Sequence, residues 1–241
     1  MKQAQDLGFA ETDPALDVKG FDPKFKLAIL IAHTFGVFVR PEEIINFGID
    51  QISSVDLKYA KDHGLTIKLI ARAFKSGSRV YGLVAPQFIE NHHPLSSVRN
   101  EFNAVTVEGA FAEKQLFVGK GAGSYPTGSA VLSDVSALTY DYRYEYKKRL
   151  QESRLTFSND ASVEVVVSFT DPLLVTTADF VKFKGGFQGN GQQNMTGAVT
   201  LEKIREWSLR EGINVILSPG ATPIPQGIAF DVIKKEVLTY A

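Results

Sequence analysis

The chain has 241 residues, 44% of them hydrophobic and 22% charged, with 26 basic against 27 acidic side chains and no cysteine. That length predicts one large domain or two unequal ones, and the composition excludes disorder, collagen and coiled coil. A net charge of −1 gives no electrostatic reason for a nucleic-acid or anionic-membrane partner, and the missing cysteines exclude disulfides, thiolate metal sites and a cysteine nucleophile.

Residues 2–7 read as the end of a helix that Gly8 terminates, since glycine takes the left-handed capping geometry easily. An acidic loop follows, holding Glu11, Asp13, Asp17 and Asp22. Asp22 as N-cap and Pro23 at the first helical position predict a helix running to Gly36, with apolar residues spread widely enough to be buried on more than one side. Its apolar run, residues 27–32, is far short of the ~18 residues that cross a bilayer, and the polar start has no signal-peptide core. A cytoplasmic protein without membrane contact is expected.

Pro41 opens a second short helix, and Ser53 with Asp56 forms a capping-box start for a third, which Gly64 stops. Residues 66–74 and 80–85 predict a hairpin, and 103–108 with 115–118 a second strand pair. The glycine-rich stretch 119–123 leads through Pro126 into a helix expected to reach Leu150. Beyond Gln151 come a strand over 162–169, a Gly/Gln/Asn-rich loop over 184–197, a helix over 199–210 and a strand over 214–217.

The acidic loop joined to a lysine-bearing helix is the most informative feature. Asp22 and Lys26 lie four apart and share a helix face. One reading is an N-cap with a surface partner. In the other, several carboxylates hold a substrate ammonium while the lysine exchanges a proton with the substrate. The GKGAG stretch places backbone N–H groups where they can approach a ligand, but it does not match G-x-G-x-x-G, and a tight strand–helix turn is the simpler account. His92 and His93 are adjacent and point apart, so a loop role is expected and no metal site. The tyrosines between 140 and 146 suit an exposed helix face or a partner surface, and Trp207 a core position.

The run from Gly8 to Asp22, GFAETDPALDVKGFD, closed by Lys26-Leu27, resembles the substrate-site signature of the homoserine dehydrogenase family. Gly48-Ile49, Asp56, Ala60, IKLIA from Ile67, His93-Pro94-Leu95, Asn103-Ala104-Val105, and GKGAG with Pro126-Thr127 follow in the family's order, so the resemblance covers roughly residues 1–140. It implies an α+β fold with a mixed β-sheet flanked by helices. Residues 1–150 would be the catalytic and dimerisation domain, and 151–241 a smaller α+β C-terminal segment of unassigned role.

The implied reaction is reduction of L-aspartate 4-semialdehyde to L-homoserine with NADPH or NADH. By the resemblance Glu11 binds the amino-acid substrate, Asp22 orients it and Lys26 donates the proton, with Asp17 in the same acidic cluster. Gly8 and Gly123 match positions lining the nicotinamide side of the cofactor cleft. The chemistry agrees: carboxylates attract the substrate's ammonium and favour the charged form of Lys26, which can give up a proton. The family's nucleotide-binding domain precedes this signature, so the chain is expected to be a portion lacking it and inactive alone. A homodimer is expected through the 66–85 hairpin and its neighbouring strand pair. The competing readings are a non-catalytic amino-acid-binding or oligomerisation module, and a tail that binds an end-product amino acid.

Overall fold

A computed structural model describes residues 13–143, 154–189, 191–225 and 237–240. The helix expected over residues 2–7 lies outside them. A single helical turn, α1 (Ala15–Val18), leads directly into α2 (Phe21–Phe35). The N-cap of α2 is Gly20, at φ +76°, and Asp22 sits in the first turn instead of at the cap. A left-handed residue that glycine adopts freely thus starts the helix, where the capping rule looked for a side-chain acceptor. Burial is also narrower than expected: Leu27, Ile31 and Phe35 form one buried stripe, while Phe25 and Ile29 face solvent.

That stripe packs on a hairpin of two long strands, β2 (Leu65–Ser76) and β3 (Arg79–Glu90), paired from Leu65–Glu90 to Ser76–Arg79. The second edge of β3 is shared by three short parallel partners. These are β6 (Thr156–Phe157) at Arg79 and Val80, β1 (Ile45–Asn46) at Leu83 and Val84, and β10 (Ile213–Leu217) at Gln87. Parallel pairing explains the unbroken apolar character of β3, whose interior is wholly buried.

Through β10 the sheet runs on into β7 (Ala161–Phe169), β9 (Gln192–Thr200) and β8 (Lys182–Gly189), all antiparallel. The two-residue β11 (Ile224–Pro225) pairs with the first residues of β7. At the other end β12 (Val237–Tyr240) lies between β2 and β4 (Phe102–Gly109), and β5 (Glu113–Lys120) forms the edge. Residues beyond 154 therefore add strands to the same mixed sheet that carries β2 and β3.

The two faces bury different clusters. On one, α2 and α3 (Ser54–Asp62) cover Val80, Val84, Phe88, Val166 and Ile216. On the other, α5 (Leu201–Ser208) seats Trp207 and Ile204 against Tyr81, Leu83, Val163 and Val215. Trp207 is a core residue, as its position on an amphipathic helix predicts.

Three expectations change here. The stretch 184–197 is not a loop but most of the β8–β9 hairpin, with a register shift between Phe183 and Gly185. Its Gly, Gln and Asn residues have poor intrinsic strand propensity; pairing with the valine-rich β7 overrides it. The helix expected from 199 starts at Leu201, because Val199 is paired with Val163 and Thr200 caps the helix through Lys203 N–H. The helix after the glycines, α4 (Ser124–Leu138), ends twelve residues before Leu150, in a turn where Asp141 has φ +57°. Residues 144–150 lie outside the described set.

Of the surface expected to self-associate, β3 is buried through its interior, β2 is only half-buried over residues 65–69, and β5 is exposed along its whole length. Among the described residues no helix is long and apolar enough to cross a membrane.

Candidate functional site

The site grows from a turn. Pro14 starts α1, and the Asp13 carboxylate accepts the Ala15 N–H at 3.0 Å. The Asp17 carbonyl accepts the Gly20 N–H at 3.1 Å, which bends the chain into α2. Residues 46–49 grip this bend from below. Ile49 N–H donates to the Val18 carbonyl at 2.7 Å, and Asn46 Nδ2 donates to the Lys19 carbonyl at 2.7 Å. Gly48 permits the approach: a Cβ there would stand 2.5 Å from the Val18 oxygen and 2.7 Å from Lys19 Cα. Because β1 is paired to β3, the bend is referenced to the centre of the sheet.

On α2 this geometry sets Asp22 and Lys26 side by side, Nζ to Oδ2 at 2.7 Å, each about 40% exposed. A pair so open to water contributes little to stability, typically ~0.2–1 kcal/mol. It remains available to a ligand. Asp17 is exposed on α1, which packs against α2. Glu11 and Gly8 lie outside the described residues.

Gly123, at φ +108° and ψ 155°, is the N-cap of α4, directly after β5. Gly121 binds the Glu101 carbonyl through its N–H, and a Cβ at this position would fall 1.6 Å from the Asn103 amide. The loop is thus built for close backbone approach. Strands β4, β12 and β2 stand between β5 and β3.

His92 and His93 diverge as expected: His92 Nε2 meets Glu90 at 2.9 Å, while His93 Nδ1 accepts the Leu95 N–H at 3.2 Å and caps a short turn. Among the described residues no group of three or more His, Cys, Asp or Glu could hold a metal.

Two residues that spacing did not single out join this framework. Lys24 is buried on the far side of α2, with Nζ donating to Asn46 Oδ1 at 2.8 Å. Arg205, from α5, donates to the carbonyls of Glu42 and Glu43 at 3.4 and 3.1 Å, just ahead of β1. Neither contact has a sequence signal, since each joins segments far apart in the chain.

The homoserine dehydrogenase family model matches residues 1–136, more than half of the chain. The chain belongs to the homoserine dehydrogenase family. It is 46% identical to the homoserine dehydrogenase of Bacillus subtilis over 143 residues, covering 59% of this chain and 33% of the relative. With that of Lactococcus lactis it shares 38% over 135 residues, covering 56% and 32%. The chain thus spans about a third of the length of the curated relatives it matches. Solved homoserine dehydrogenase structures extend the likeness into the tail. That of Thiobacillus denitrificans aligns with TM-score 0.67 and 25% identity over 90% of this chain and 57% of its own. That of Staphylococcus aureus gives 0.60 and 27% over 95% and 58%. The family's mixed sheet flanked by helices is the architecture seen here.

Proposed function

We propose that this chain carries the substrate-binding and proton-donating part of a cytoplasmic enzyme that reduces L-aspartate 4-semialdehyde to L-homoserine, a step toward threonine, methionine and isoleucine. The observation that carries this reading is the Asp22–Lys26 pair, held half-open at the start of α2 inside the family's matched region. Asp22 orients the substrate and holds the Lys26 ammonium in place. Lys26 delivers a proton to the aldehyde oxygen as that oxygen gains negative charge. Asp17, with Glu11, supplies carboxylates for the substrate's ammonium. NADPH or NADH, when bound, supplies the hydride.

The residues present fit one end of that cofactor. The Gly121–Gly123 backbone, carrying only the Ala122 methyl and opening α4, suits the nicotinamide end, together with Gly8. The sequence contains no G-x-G-x-x-G turn to seat a pyrophosphate.

Residues 1–150 form the catalytic and dimerisation portion in this reading, and 151–241 an α+β segment that completes the sheet. The division at 150 is one of function. A second copy would cover the apolar side chains exposed on β5 and α4, among them Phe117 and Leu132, forming a homodimer visible by light scattering at micromolar concentration. A purely non-catalytic module is disfavoured, because a scaffold gains little from a solvent-open pair at this position.

The test is reductase activity with aspartate semialdehyde, measured on the chain joined to a family nucleotide-binding domain. Lys26→Ala should lower turnover by about 10²–10⁴-fold while leaving the fold intact. Activity within a few-fold of the parent would remove Lys26 from the role.

A further inference from the structure

Behind α2, on the side away from Asp22 and Lys26, lies a cleft of about 850 Å³ between the start of α2, residues 44–51 and the end of α5. That volume is in the range of small-molecule sites. Its charged lining is mixed, and the one buried charge in it is positive. Glu42, Asp50 and Glu211 stand exposed at the rim, as do Lys19 and Arg210, whereas Lys24 is only 8% exposed. Rim charges are well solvated and screened; a buried one is much less so.

Lys24 is also incompletely met. Of its three N–H groups one reaches Asn46 Oδ1 at 2.8 Å, and the ammonium lies 4.6 Å from the centre of the Phe21 ring. No carboxylate stands within ion-pair distance of it among the described residues. A charge left unpaired in such a place is costly, and an anion is the partner that relieves the cost. Burial accordingly pulls the Lys24 ammonium below the ordinary lysine range, outweighing the opposing charge of Glu42, and Arg205 adds to the fall. Phe21, Ile44, Phe47 and Leu209 provide apolar surface for the body of a ligand.

We propose that this cleft is a second ligand site, taking a small organic anion whose carboxylate or phosphate pairs with Lys24. Asn46 makes the site consequential. Its oxygen holds Lys24 and its nitrogen holds the Lys19 carbonyl, next to Gly20. An anion that draws Lys24 from Asn46 acts on the turn that aims α2, so occupancy is transmitted to Asp22 and Lys26.

The experiment is titration calorimetry on the 241-residue chain with benzoate, inorganic phosphate and benzylamine. Saturable millimolar binding of benzoate or phosphate is expected, with benzoate alone indicating a carboxylate ligand and phosphate alone a phosphorylated one. Lys24→Met should weaken it at least about tenfold, while Lys26→Met leaves it within a factor of about two. Three results overturn the proposal: no anion binding, binding of benzylamine in place of the anions, or binding that survives Lys24→Met. Loss of binding in Lys26→Met with Lys24→Met unaffected assigns the anion to the substrate motif and equally refutes it. Should Lys24→Met fail to fold, the Lys24 ammonium resonance of the parent chain must shift along the titration; an unmoved signal refutes the site.

Discussion

Asp56 Oδ2 accepts a hydrogen bond from Asn214 Nδ2 at 2.8 Å, joining α3 to β10 across 158 residues of chain. The carboxylate is 3% exposed and has no cation beside it among the described residues. It is satisfied instead by neutral donors: Ser53 N–H at 2.9 Å, Ser53 Oγ at 2.8 Å and Ser168 Oγ at 3.1 Å, besides Asn214. One side chain therefore closes the capping box of α3 and docks that helix on the sheet.

Asp56→Ala should destabilise the fold by about 3 kcal/mol or more, since it strips several buried donors of their acceptor at once. Asn214→Ala should cost about 1–3 kcal/mol. The double variant should fall short of the sum, because the two act as one network. Urea midpoints of the four proteins measure the coupling, and strict additivity would show that the two groups act independently.

Gly20→Ala tests the bend at the head of α2. The left-handed φ of +76° costs an L-residue about 1–2 kcal/mol, and the new Cβ would lie 3.3 Å from Val84 Cγ1. Thermal unfolding should fall by that amount. Homoserine affinity should fall further than in an equally destabilised core variant, because Asp22 and Lys26 are displaced together.

Stability should ebb on the acid side in a way that depends on Lys203. Its ammonium lies 2.6 Å from Glu206 Oε2 and 3.1 Å from Asp179 Oδ1. The Glu206 hydrogen bond is the main influence raising Lys203 above its ordinary range. Burial pushes Asp179 up, but the Thr176 N–H and Lys203 together outweigh it and hold the carboxyl below its ordinary value of 3.8. A carboxyl lowered on folding contributes stability above its unfolded pKa and loses it as pH falls through the folded one; a raised lysine contributes below its unfolded pKa and loses it as pH rises past the folded one. The cluster thus stabilises fully between about pH 5 and 10 and weakens outside that window. Lys203→Met should flatten the fall in melting temperature between about pH 5 and 3; an unchanged slope would place the acid sensitivity elsewhere.

The chain by itself should bind homoserine but show no micromolar affinity for NADPH. Most dinucleotide affinity comes from a pyrophosphate on a glycine-rich helix start and from a side chain reading the ribose. Gly123 offers a backbone surface and no charge. Fluorescence titrations with each ligand, using the single Trp207, check both halves, and micromolar NADPH binding would mean that these residues hold a complete dinucleotide site of another design.

Sequence alone determined what local chemistry determines. Ser53 and Asp56 announce their capping box, Gly36 and Gly64 end helices, apolar runs on either side of a Lys-Ser-Gly-Ser turn announce β2 and β3, and the run from Gly8 to Asp22 closed by Lys26 carries the family signature. These depend on neighbours a few residues apart. The tertiary structure decided what depends on distant partners. It turned a Gly- and Asn-rich stretch into β8 and β9 by pairing it with β7, and it made Gly20 the cap because the bend must clear Val84 and Phe47. It also buried Lys24 beside Asn46 with no carboxylate at ion-pair distance among the described residues. A lysine two residues from Asp22 reads as solvated surface; only β1, set behind the helix with Asn46 on the Lys24 ammonium, buries it.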